Sequence, residues 1–196
     1  MGTLYLMRHG QTLFNQLGKI QGACDSPLTE LGIAQAQQAQ TYFQENQIVF
    51  ESIYASTQER AVDTAKIVAR TEEIRMLKGL KEWNFGTFEG ESERLNPKRK
   101  PGETSYGDFF VPYGGESADQ VQNRMYETIS QLMDNSTGGA VLAVSHGGAM
   151  YRFIQKIVPE DIVATLRFTN CCILVFDYAE QTFSFKGIVH PTTPNS

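Results

Sequence analysis

The sequence predicts an α/β fold built on a mostly parallel sheet, and three observations carry that prediction. Short β-rich runs alternate with stretches of helical periodicity along most of the chain. Two of the runs, Thr3 to Met7 and Ala140 to Val144, are almost wholly apolar, as strands covered on both faces are. Each of them ends in a polar cluster with glycine, Arg8-His9-Gly10 and Ser145-His146-Gly147-Gly148, and open α/β sheets carry their sites at such strand ends.

The elements follow in order. After the first strand, Leu31, Ala34, Ala39, Tyr42 and Phe43 recur at helical spacing behind a Thr-Glu start, which predicts a helix over 29–46. Ser52 to Ala55 reads as a second strand, and Gln58 to Ala69 as the helix after it, with Ala61, Val62, Ala65 and Val68 on one stripe and Arg60 in the first turn. From Trp83 to Gly115 glycine and proline are frequent and periodicity lapses, so about 83–115 is expected to form a lid-like excursion over the sheet's edge. Helical spacing resumes from Glu116 to Met133 through Val121, Met125, Ile129 and Leu132. After the Ala140–Val144 strand come a helix from about Ala149 to Ile157 and two late strands, Cys171–Tyr178 and Thr182–Val189, joined by a turn at 179–181. Pro191 to Ser196 reads as a loose tail. No internal repeat or linker interrupts this series, so 1–196 is expected to be a single domain.

Composition narrows the function classes. A chain of 196 residues can bury a three-layer core without disulfide or metal staples, and 41% hydrophobic with 20% charged residues are ordinary globular proportions. A net charge of -5 offers no general attraction for nucleic acid, so an anionic ligand requires a local cluster of cations. Cys24, Cys171 and Cys172 are an odd count, and the side chains of two neighbours would diverge on a strand, which argues against a disulfide framework. The first residues lack a secretory leader pattern, Leu6 stands where a myristoylation pattern asks for Ser or Thr, and no apolar run is long enough to cross a bilayer. A cytoplasmic location without a membrane or nucleic-acid partner is therefore expected, and the glycosylation pattern Asn135-Ser136-Thr137 carries no weight there. The Lys98-Arg99-Lys100 run lies in a Pro-flanked loop and reads as a solvated charge cluster, outside the site.

Two of the three histidines, His9 and His146, stand at strand ends and are each followed by glycine, which points to one shared site. Glycine lets backbone and ligand approach closely, and Gly147-Gly148 leading into a helix offers amide donors and a positive helix terminus to an anion. Metal binding is the rival reading, but no Cys, Asp or Glu stands at a recognisable ligand spacing around either histidine. Either histidine alone would read as a hydrogen-bonded structural residue.

The stretch Leu6-Met7-Arg8-His9-Gly10-Gln11-Thr12-Leu13-Phe14-Asn15 resembles the signature of the histidine phosphatase superfamily, which includes the cofactor-dependent phosphoglycerate mutases. The segments Gln21 to Gly32, Ala55 to Ala61 and Ser145 to Gly148 are similar to its later motifs, in the same order and spacing. The resemblance implies an α/β/α sandwich around a mixed six-stranded sheet with one late antiparallel strand. It also implies that His9 is a nucleophile attacking phosphorus through Nε2, and that Arg8, Arg60 and His146 compensate the charge of the transferring group. Asn15, Gln21, Gly22 and Gly147 fall where the family lines its phosphate pocket. Glu82, in Leu80-Lys81-Glu82-Trp83-Asn84-Phe85-Gly86, falls where the family's phosphatases protonate the leaving alkoxide and then activate water. Beside Trp83 and Phe85, the Glu82 carboxyl is expected to lie in a buried, apolar setting.

Members of the superfamily either release phosphate to water or return it to a sugar acid. The mutases' longer insertion, with Arg, Lys and Tyr residues for a substrate carboxylate, has no counterpart between Glu82 and His146, while Phe85 to Ser92 and Gly114 to Ser117 resemble the phosphatase branch. The expected activity is hydrolysis of small phosphorylated metabolites without metal or cofactor. A mutase, which would need a 2,3-bisphosphoglycerate primer, and a binding module that has lost catalysis are the alternatives. The natural substrate and the oligomeric state are left open by the sequence.

Overall fold

The computed structural model describes residues 2–98 and 105–192. Arg99 and Lys100 of the basic run, and the tail beyond residue 192, lie outside the described residues. Among the described residues the strands are β1 (Gly2–Arg8), β2 (Phe50–Ser56), β3 (Arg75–Leu77), β4 (Ala140–Ser145), β5 (Ile173–Ala179) and β6 (Thr182–Val189). The helices are α1 (Leu13–Leu17), α2 (Glu30–Glu45), α3 (Glu59–Ala69), α4 (Ala118–Asp134), α5 (Gly147–Gln155) and α6 (Glu160–Val163).

The strands form one sheet in the order β3-β2-β4-β1-β5-β6. β1 pairs with β4 in parallel, as β2 does with both β3 and β4. β5 runs antiparallel to β1 and to β6, so it alone opposes the other five. This is the mixed, mostly parallel six-stranded α/β sheet expected.

Strand side chains alternate between faces, and that period of two divides the core into two layers. Leu4, Leu6, Val141 and Ala143 pack with Val121, Met125 and Ile129 of α4 and with Met150 and Phe153 of α5. Met7, Leu142 and Val144 pack on the opposite face with Ala36, Ala39 and Phe43 of α2 and with Ala61, Ala65 and Val68 of α3. The small residues of α2 and α3 let those helices pack closely against each other. Side-chain caps fix the helix starts: Thr29 accepts from the Gly32 amide, and Ser117 forms a capping box with Gln120, each cap contributing about 1 kcal/mol.

Several elements depart from the sequence pattern for local reasons. β3 is three residues long, at the sheet edge, with Met76 exposed, so it shows no alternation to read. α1 is likewise only five residues. α5 begins at Gly147, two residues before the expected start, with His146 as its N-cap. β5 begins at Ile173 because Cys171 takes a left-handed φ of 59°, which no strand residue adopts.

The described part of the 83–115 stretch is not a bare loop. It carries 3-10 turns at Gly86–Phe88, Glu93–Leu95 and Val111–Tyr113, and an aromatic cluster centred on the buried Phe110. The Phe110 ring lies 4.9 Å from Phe85 and 5.5 Å from Phe88, edge to face. Among the described residues no helix is long and apolar enough to cross a membrane.

Candidate active site

The register of the two central parallel strands sets the site. Arg8 lies opposite Ser145, so His9 and His146 leave the sheet side by side at the C-terminal ends of β1 and β4. The His9 amide donates to the Ser145 carbonyl at 3.0 Å, and the imidazole centroids are 5.1 Å apart. The turn after His9 is set by main chain alone: a Cβ on Gly10 would lie 2.4 Å from the Gly32 carbonyl oxygen, and one on Gly32 would lie 2.0 Å from that of Gln11. Neither position has room for a methyl group.

Both histidines are buried. His9 Nδ1 lies 2.7 Å from the Gly10 carbonyl oxygen. Donation from Nδ1 to that acceptor leaves the Nε2 lone pair free. Burial, and then the charges of Arg60 and Arg8, hold His9 well below the usual imidazole value of 6.5, against the Gly10 hydrogen bond. His146 is lowered in the same way, by burial first and then by Arg60, His9, Arg124 and Arg8. Both rings are thus neutral at pH 7.

The cations come from separate stretches of chain. Arg8 donates from Nη1 to the Phe168 carbonyl. Arg60 donates from Nη1 to the Cys24 carbonyl at 3.0 Å and to Asp25 Oδ1 at 2.8 Å, and from Nη2 to the Gly22 carbonyl at 3.0 Å. Asp25 also accepts from the Glu59 amide at the start of α3, so one carboxylate fixes both the helix end and the guanidinium. Among the described residues only four buried side-chain nitrogens or oxygens lack a hydrogen-bond partner: Arg8 Nε, Arg60 Nε, and Nδ1 and Nε2 of His146. Buried polar groups are ordinarily satisfied, and here the exceptions all fall on Arg8, Arg60 and His146.

A cavity of about 370 Å³ opens in front of this floor, lined by Arg8, His9, Asn15, Gln21, Glu82 and Gly147 among others. Arg60, His146 and Gly22 are not among its lining residues. Asn15 Oδ1 caps α1 and accepts from Asn170 Nδ2 at 3.3 Å. Gln21 accepts from the Thr12 hydroxyl at 2.6 Å and donates to Ser26. The Gly22 carbonyl accepts from Gln58 as well as Arg60.

Glu82 forms the facing wall, and its setting differs from the apolar one expected. Its Oε1 accepts from the Trp83 and Ala149 amides at 2.8 and 2.7 Å, and Oε2 from the Gly148 amide at 2.9 Å. The Gly148 and Ala149 amides at the N-terminus of α5, with that of Trp83, replace the water that burial removes. A Cβ on Gly148 would lie 2.8 Å from Glu82 Oε1, so glycine there makes room for the carboxylate.

The structure therefore brings His9, Arg8, Arg60, His146, Glu82, Asn15, Gln21, Gly22 and Gly147 to one end of the sheet. It adds residues that the sequence reading passed over. Gln58 Oε1 accepts from the Glu82 amide at 2.9 Å while its Nε2 reaches Gly22, joining floor to wall. Asn170 donates to the His9 carbonyl at 3.1 Å. Lys19 also lines the cavity. Only Gln58 carried a readable signal, as a polar residue at a helix start next to Arg60. Among the described residues no three His, Cys, Asp or Glu side chains converge as a metal site requires.

Comparison with known proteins agrees with this geometry. The family model described as histidine phosphatase superfamily (branch 1) matches residues 4–190. A metal-independent phosphoserine phosphatase of Arabidopsis thaliana is 33% identical over 95% of this chain and 82% of its own length. A Yersinia pestis protein named "Probable phosphoglycerate mutase GpmB" is 32% identical over 95% of this chain and 89% of its own. The phosphoserine phosphatase of Entamoeba histolytica, solved with 3-phosphoglyceric acid, superposes with a TM-score of 0.78 at 29% identity, covering 96% of both chains. A mutant of it was solved with phosphoserine. With a family model spanning nearly the whole sequence, and a sheet that sets the motif histidines side by side, the chain belongs to the histidine phosphatase superfamily, branch 1.

Proposed function

We propose that this protein is a metal-independent phosphatase that hydrolyses small phosphate monoesters through a phosphohistidine on His9. The single observation that carries the reading is the set of four unpartnered buried atoms on Arg8, Arg60 and His146 around a neutral nucleophile. A phosphoryl group supplies acceptor oxygens for the two guanidinium Nε–H groups and for the one His146 nitrogen that carries a proton, and its charge is the one that two guanidinium groups oppose.

In the first step the His9 Nε2 lone pair attacks phosphorus in line, the bond from phosphorus to the ester oxygen breaks, and Glu82 delivers a proton to the departing oxygen. Arg8, Arg60 and His146, with Asn15, Gln21 and the backbone at Gly22 and Gly147, stabilise the equatorial oxygens as charge spreads over them. In the second step Glu82 takes a proton from water, the water oxygen bonds to phosphorus, and the phosphorus–nitrogen bond breaks to restore the neutral imidazole. The three amides on Glu82 keep its oxygens fixed through both steps. On this reading 1–196 acts as one domain, with the 83–115 stretch as a lid that leaves water access.

The relatives named for phosphoserine make a phosphorylated amino acid the first substrate to test. The relative named for phosphoglycerate mutase supports a second reading, phosphoryl return to a sugar acid through the same intermediate. One assay separates them: release of phosphate from p-nitrophenyl phosphate and phosphoserine with chelator present, by wild type and His9→Ala, beside interconversion of phosphoglycerates with a bisphosphoglycerate primer. Chelator-resistant hydrolysis that disappears in His9→Ala is the expected result. Primed interconversion faster than hydrolysis selects the mutase, and phosphate binding without turnover on any substrate selects a binding module.

A further inference from the structure

Arg124, on α4, lies outside the cavity lining and enters the site above only through its charge, which helps hold His146 low, yet its guanidinium is fully engaged. Nε and Nη2 hold the two carboxylate oxygens of Glu116 at 2.7 and 2.8 Å. Nη1 donates to the carbonyls of Gly79 at 3.0 Å and Lys81 at 2.7 Å, and Nη2 to the carbonyl of Glu82 at 2.9 Å. A planar fork matches this fixed array of acceptors, which a single ammonium cannot cover.

Glu116 extends the same clamp to the next residues. Its Oε2 accepts from the Asn84 amide at 3.0 Å, its amide donates to the Asn84 carbonyl at 2.8 Å, and its carbonyl accepts from the Trp83 indole at 2.8 Å. Burial works against its carboxylate, but the hydrogen bond and charge of Arg124 hold it below the ordinary carboxylate value. The main chain at residue 82 is thus gripped at both ends, the carbonyl by Arg124 and the amide by Gln58. Its side chain then spans to α5, where the Gly148 and Ala149 amides receive it. A peptide rotation at 82 would swing the carboxylate off those amides.

We propose that Arg124, paired with Glu116, is a positioning residue: it fixes the main chain of residues 81–84 so that the Glu82 carboxylate stands at the leaving-group oxygen. This rests on the acid–base role proposed for Glu82. The test compares wild type, Arg124→Lys, Arg124→Met and Glu82→Gln on phosphoserine, whose alkoxide needs a proton to leave, and p-nitrophenyl phosphate, whose phenolate needs little. Arg124→Met should lower kcat/KM for phosphoserine by about 100-fold and for the nitrophenyl ester by less than about 5-fold, matching the pattern of Glu82→Gln. Arg124→Lys should restore little of the loss, and adding Arg124→Met to Glu82→Gln should cost little more.

Equal loss on both esters in a folded Arg124→Met variant would overturn the positioning role. If that variant does not fold, Arg124→Lys gives the same comparison. An NMR measurement stands apart from turnover: the Gly148 and Ala149 amide resonances should shift in Arg124→Lys, although they lie on another helix. Unmoved resonances would refute the proposal even if the wild type hydrolysed neither ester, whereas an inactive wild type with moved resonances would refute the phosphatase reading alone.

Discussion

The two sides of the site are built on opposite principles. The floor, from His9, Arg8, Arg60 and His146, contains the four buried side-chain nitrogens that lack partners among the described residues. In the facing wall the Glu82 carboxylate accepts three amides and its supporting Arg124 spends every donor on the protein. Unsatisfied donors in a rigid setting hold a place for a ligand, because closing them internally would remove the gain from binding it. Satisfied donors hold a side chain in place, and that is what a group passing a proton at one oxygen requires. On the proposed reading, the floor binds by what it lacks and the wall works by what it has.

Three substitutions or conditions break that comparison in different ways. The largest effect is expected from Arg60→Ala, which removes a floor donor: kcat/KM should fall by about 10²- to 10³-fold on good and poor leaving groups alike. Steady-state kinetics on nitrophenyl phosphate and phosphoserine checks this, and a loss confined to one ester would place Arg60 on the wall side of the chemistry. Glu82→Gln comes next, with about 10²-fold loss on phosphoserine and much less on the nitrophenyl ester. Equal slowing of the two would count against a proton-donor role.

The smallest effect concerns stability. His9 and His146 are held below 6.5 in the folded chain, so between that value and their folded values the unfolded chain binds protons that the native chain does not. Their contribution is complete above about pH 7 and is lost as pH falls below 6.5. The melting temperature should drop between pH 7.5 and 5.5, by about 2–4 °C for each kcal/mol lost, and drop less in His146→Gln. Inorganic phosphate, by facing the arginines with negative charge, should reduce the loss. A drop of the same size in His146→Gln would remove that ring from the account.

The sequence disclosed the floor more fully than the wall, for a physical reason. His9 and His146 follow buried strands whose apolar runs are visible residue by residue, and parallel pairing of the strands brings their ends together. Arg60 is marked by its motif and its place in a helix's first turn. Glu82 carried a motif, but its partners did not: Arg124 reads as one more polar residue on an amphipathic helix, and it grips main-chain carbonyls 42 to 45 residues away that no side-chain pattern encodes. The expectation of an apolar pocket around Glu82 failed similarly, since the amides that surround it belong to backbone. Strand β3 was missed because three residues at an edge show no period, whereas β1 and β4, covered on both faces, could be read in full.

The contact between Gly10 and Gly32 extends the site's reach beyond its reactive groups. Two peptide planes touch there with no atom to spare, so the amino end of α2 acts as a backstop against which the turn after His9 is seated. A bulkier residue at 32 would tip the imbalance into the loop rather than into the helix, which is anchored by its cap and by Phe43 in the core layer that α2 shares with α3. Inactivating lesions in this protein should accordingly accumulate at a position that never meets a ligand, and a catalogue of damage would trace the outline of the turn as clearly as that of the reacting groups.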